Sequence, residues 1–98
     1  MDYLVFLDRV IGDGIKAAKA DYDKPSNKPM LEGSIVGFEL CRGKNPDDLV
    51  KLMFEVQKDM GNWWIKGEKN DIDKYWYLNS KRSEIEWVAN VVSASAFD

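Results

Sequence analysis

Leu4, Leu7, Ile11, Ile15, Ala18 and Tyr22 recur at steps of three and four residues, with Arg9, Asp13, Lys16 and Lys19 on the other side. That spacing predicts an amphipathic helix over residues 2–23. Gly12 and Gly14 each weaken it by about 1 kcal/mol relative to Ala. Gly14 lies on the apolar stripe, where a missing side chain lets another helix come close. The link YDKPSNKP stops this helix and sets up a second over residues 29–42, which Gly43 ends. In the second helix Leu31, Ile35 and Phe38 form one stripe. Met30, Val36, Leu40 and Cys41, with Gly33 and Gly37, cover the opposite side. A helix apolar nearly all round is expected at the centre of a fold.

The third helix has the clearest start. Asn45 can cap it, Pro46 suits the first turn, and Asp47 and Asp48 favour the positive end of the helix dipole. Its stripe is Leu49, Leu52, Met53, Val56 and Met60. Gly61 is expected to break or bend the chain, leaving NWWIKG as a short turn or a loop. A fourth helix is predicted over residues 71–94, capped by Asn70 or Asp71, with Tyr75, Leu78, Ile85, Ala89 and Val92 toward one side. Trp76, Trp87, Val88 and Val91 widen that side, and Asn79, Arg82, Ser83, Glu86, Asn90 and Ser93 make a polar strip. No strand-like alternation runs longer than four residues, and no repeat or low-complexity segment is present. The expected fold is a single all-α domain over residues 1–98: a four-helix, antiparallel bundle-like arrangement. Its fourth helix is the longest, and an aromatic-rich link joins helices three and four. The interrupted stretch 60–71 leaves a kinked or partly swapped arrangement open.

Composition adds limits. Apolar residues are 45% and charged residues 32% of the 98, ordinary values for a globular domain that needs no disulfide or metal to hold it. Fourteen basic and seventeen acidic side chains are well mixed, for a net charge of −3, and no basic stripe points to nucleic acid. The single cysteine, Cys41, fits a reducing compartment and reads as an inert buried thiol. The opening MDYLVFLDRV puts Asp2, Asp8 and Arg9 where a signal peptide needs a basic start and a long apolar run. No apolar run approaches the roughly 18–20 residues of a membrane span. A cytoplasmic protein without a membrane partner is therefore expected.

Most site chemistry lacks its residues. With no histidine, the Ser-His-Asp and Cys-His arrangements and the usual zinc ligand sets are closed. No phosphate-cradling glycine loop is present, and GDG at 12–14 and GSIVG at 33–37 match none. Gly33 and Gly37, four apart, share a helix face and favour close packing. Glu55 and Asp59 share a face as magnesium ligands of helical pyrophosphatases do, but a second converging acidic pair is missing. The expectation is a non-enzymatic protein with no cofactor.

The rings are the conspicuous feature. Trp63 and Trp64 precede the polar link GEKND, and Tyr75, Trp76 and Tyr77 follow it. Adjacent rings on a regular helix cannot all point inward, so each cluster should leave at least one exposed or covered by another chain. Three readings stay open: core anchoring, a protein-contact surface that includes self-association, and a pocket that stacks a nucleotide-like ligand.

The words LEGSIVGFELCRGKNPDDL and YWYLNSKRSEIEWVANVVSA resemble short helical proteins of unassigned function encoded by bacterial phages and prophages. The resemblance covers about 40 of the 98 residues and implies a small accessory protein of the bacterial cytoplasm. It carries over no catalytic residue. The first expectation is thus a phage or prophage accessory protein, probed at Trp63, Trp64, Tyr77 and the strip Arg82–Glu86. It would bind and inhibit a bacterial host component, such as one of antiviral defence, and form a homo-oligomer. The second is an oligomeric sponge for a signalling nucleotide, pairing Tyr75 or Trp76 with Lys or Arg. A third is a metal-dependent nucleotide hydrolase.

Overall fold

The computed structural model describes residues 2–67 and 70–95, and among these there are four α-helices and no strand. They are α1 (Tyr3–Asp21), α2 (Lys28–Cys41), α3 (Pro46–Ile65) and α4 (Ile72–Ala94), with one 3-10 turn, Pro25–Asn27, leading into α2. Each longer helix starts where a short polar side chain can satisfy an orphan amide. The Asp2 carboxylate accepts from Leu4 N, Asn45 Oδ1 from Asp48 N at 2.8 Å, and Asp71 Oδ1 from Lys74 N at 3.0 Å. Gly43 and Gly67 adopt φ of +75° and +82°, the left-handed conformation that turns the chain after α2 and α3.

One boundary and one placement differ from the pattern reading. α3 runs through Gly61 to Ile65. Trp63 lies seven residues beyond Val56, hence on the same face, and its burial holds the last turns helical. The helix ends at Ile65 and the chain turns at Gly67, not at Gly61. The hub is α4, which packs on all three other helices, whereas α2 meets α1 and α4 and leaves Leu40 exposed. The reason is that only one stripe of α2 is enclosed: Gly33, Ser34, Gly37, Phe38 and Cys41.

Consecutive helices are antiparallel, as Asp8 opposite Arg42 and Gln57 opposite Glu86 show. The most intimate pair, α2 and α4, runs parallel. Gly33 faces Tyr77 and Ser80, and Gly37 faces Lys81 and Glu84, so the register rises together on both. In an up-down-up-down bundle these two helices are diagonal partners. Their glycines bring the diagonal together and push α1 and α3 apart, which flattens the molecule to 45 × 29 × 17 Å. The core, centred on Leu7, Ile11, Leu49, Ile85 and Val88, fills the two flanking seams. The Tyr3 hydroxyl donates to the Lys44 carbonyl at 2.7 Å, tying the start of α1 to the α2–α3 turn.

Candidate functional site

The aromatic residues meet at one end of the α3–α4 hairpin. Trp63 lies on the buried stripe of α3, and Trp64, a further 100° round the helix, points away from it. The α4 cap at Asp71 sets Tyr75 opposite Trp63, with ring centroids 6.3 Å apart. Trp64 lies 6.1 Å from Trp63, and Trp76 packs edge-on to Tyr75 at 5.1 Å. Trp64, Trp63, Tyr75 and Trp76 therefore form one chain of rings. Its outer members are wet: Trp64 is 50% and Trp76 40% exposed, and Ile65 and Ile72 beside the link are 82% and 61% exposed. Trp63 is 5% exposed. Tyr77, 200° round α4 from Tyr75, is half-buried, and its carbonyl lies over Gly33.

Trp63 carries an electrostatic anomaly. Its indole Nε1 is buried without a hydrogen-bond acceptor among the described residues, a deficit of about 1–3 kcal/mol for a buried donor. The ring lines a cavity of about 350 Å³ together with Asp59, Asn62, Lys66, Lys74 and Leu78.

Arg82 and Glu86 have a different setting. Arg82 Nη1 donates to both Glu86 oxygens at 3.0 Å, and Arg82 Nη2 donates to Asn79 Oδ1 at 2.7 Å. Glu86 also accepts from Gln57 Nε2 at 2.7 Å. Both side chains are largely covered. This network fastens α3 to α4 and stands apart from the ring chain. Arg82 and Glu86 were recognisable as a helical i, i+4 pair, but Gln57 was not recognisable as their partner across the hairpin.

Among the described residues no three acidic or thiol side chains come close enough to share a metal ion. Cys41 is fully enclosed, and burial pushes its thiol up to about 12 against the smaller opposing pull of Lys44. Among the same residues no helix is long and apolar enough to cross a membrane. Sequence reasoning did not find a second concave region between α1, α2 and α4, because Asp13, Phe38, Glu84 and Trp87 come together only in the folded chain. Comparison with family models, curated proteins and solved structures yields no match for this chain.

Proposed function

We propose that this is a non-enzymatic binding protein that captures another protein with the aromatic end of the α3–α4 hairpin. One observation carries the reading: Trp64, Ile65, Ile72 and Trp76 stay exposed around a buried Trp63 whose N–H lacks an acceptor. Large apolar side chains gathered at one end are a cost in water, and Trp is enriched at the anchoring positions of protein interfaces. A partner that covers the exposed rings would remove that cost. The resemblance to phage and prophage proteins makes a bacterial host component, such as a defence factor, the preferred target. A second copy of the chain is the other macromolecular candidate.

The test uses the intact chain as bait in a bacterial lysate, beside a Trp64→Ala/Trp76→Ala double variant. A protein retained by the first and lost from the second, with unchanged melting of the variant, is the expected result. Equal capture by both baits overturns the assignment. Sedimentation of the two proteins at several concentrations separates self-association from capture of a different partner.

A nucleotide sponge has one observation in its favour: the cavity beside Trp63, with Lys66 and Lys74 on its wall. Native mass spectrometry of gently purified protein decides this reading. A bound mass of a few hundred daltons would support it, and bare protein would remove it. The hydrolase reading has no such support, since Glu55 and Asp59 recruit no third carboxylate among the described residues.

A further inference from the structure

We propose that the groove between α1, α2 and α4, on residues separate from the aromatic end, binds a linear organic polycation of the polyamine class. The groove encloses about 400 Å³, within the range of small-ligand sites. It exists because Gly14 has no side chain. The Phe38 ring lies across that gap, and a Cβ at position 14 would overlap it. Trp87 stands edge-on to Phe38 with centroids 6.0 Å apart and an 88° interplanar angle, and Tyr22 adds a third ring. The floor is thus aromatic and suits methylene segments and cation–π contact.

The walls are acidic. Asp13 and Asp21 come from α1 and Glu84 from α4. Among the described residues none of the three has a Lys or Arg within ion-pair distance, while Arg42 and Arg82 are engaged elsewhere. Glu84 is half-buried. Its desolvation and the nearby Asp21 charge hold its carboxyl above the usual carboxylate range, and the Ser34 hydroxyl opposes this only in part. Ser34 Oγ, itself buried, lies beside that carboxylate. The site therefore presents surplus negative charge above an aromatic floor.

Two features narrow the occupant. The carboxylates do not converge on a point where one metal ion could sit. Asp13 and Asp21 are eight residues apart, about 12 Å along the helix axis. A single ammonium, such as one lysine side chain, neutralises one of them. A flexible triamine places a charge near each end and one near Glu84, and lays its methylenes on Phe38 and Trp87.

Calorimetric titration of the full chain with spermidine at physiological salt tests the proposal. Saturable binding is expected, with butylammonium at least about tenfold weaker because it forms fewer charge-assisted contacts. Glu84→Gln, which keeps the side chain's shape, should weaken spermidine about tenfold, and so should Asp13→Asn with Asp21→Asn on the exposed rim. Binding that these variants leave unchanged would overturn the assignment, as would the absence of saturable heat at millimolar spermidine. Equal displacement by magnesium would also overturn it, because that marks diffuse charge attraction. Preference for a lysine-rich peptide over spermidine would reassign the groove to a protein partner and sink the polyamine reading.

Discussion

Gly33 of α2 lies so close beneath the Tyr77 carbonyl of α4 that no Cβ fits between them. One turn on, a Cβ at Gly37 would stand 2.7 Å from the Lys81 carbonyl. Both obstacles are backbone atoms of a helix, which cannot move aside as a side-chain tip can. The parallel α2–α4 diagonal depends on these two positions.

Gly33→Ala should therefore destabilise the protein by about 2–3 kcal/mol or more, even though Ala favours the helix by about 1 kcal/mol. Gly61 and Gly12 lie in helix interiors with nothing within 4 Å of an added Cβ. Gly61→Ala and Gly12→Ala should each stabilise by about 0.5–1 kcal/mol. Urea unfolding of the three variants checks the opposite signs.

Much of this fold could be read from spacing alone. The caps at Asn45 and Asp71 and the paired glycines of α2 act through local geometry, and local geometry is what a sequence displays. The placement of α2 was less accessible. Its apolar residues surround the helix, so the pattern could not reveal that only the Gly33–Gly37 side is covered. Gly61 misled for a related reason: a glycine weakens a helix wherever it lies, but burial of Trp63 outweighs that penalty. The ring cluster could be anticipated from Trp63, Trp64, Tyr75 and Trp76 beside a short link. The acidic groove could not, because it depends on Gly14 meeting Phe38 from another helix.

Glu84 makes stability fall as pH rises. Its folded-state carboxyl holds a proton more tightly than the unfolded chain does, first through desolvation and then through Asp21, with Asp13 also in the groove. Its contribution is fully present below the unfolded carboxylate value and is lost as pH rises through the raised folded value. Glu84→Gln should raise the melting temperature at pH 7 and leave it nearly unchanged near pH 4. Thermal melts of both proteins at the two pH values check this, and a variant less stable at pH 7 would contradict it.

Cys41 should be silent to thiol reagents in the native state. Its sulfur is fully enclosed, and burial holds the thiol protonated up to about 12. Alkylation by iodoacetamide at pH 8 should therefore follow global unfolding, accelerating with urea in step with the loss of helix signal. Rapid labelling without denaturant would show that α2 opens on its own.

Arg82 is expected to act through the α3–α4 seam. Its Nη1 donates to both oxygens of Glu86, which Gln57 also holds, and both members of the pair are largely covered. A double-mutant cycle on Arg82 and Glu86 should give a coupling of about 0.5–1 kcal/mol. Arg82→Glu should cost about 1 kcal/mol more than Arg82→Ala, because it sets two carboxylates against each other. Charge reversal at Arg82 is thus a poor probe of partner binding, since it weakens the hairpin that presents the rings.

Trp63 and Trp64 are neighbours with opposite expected behaviour. Trp63 closes the end of the α3–α4 seam against Tyr75, and truncating a buried Trp removes about 3–5 kcal/mol. Trp63→Ala should consequently unfold at much lower urea than the parent, and the last turn of α3 should fray. Trp64 is half exposed and gives up little apolar contact when removed, so Trp64→Ala should shift stability by less than about 1 kcal/mol. If the aromatic end is a binding surface, the same Trp64→Ala should reduce partner capture by about tenfold or more, as truncation of an interface anchor does. Urea unfolding and capture assays on the two variants separate these roles: loss of folding belongs to Trp63, and loss of capture with folding intact belongs to Trp64.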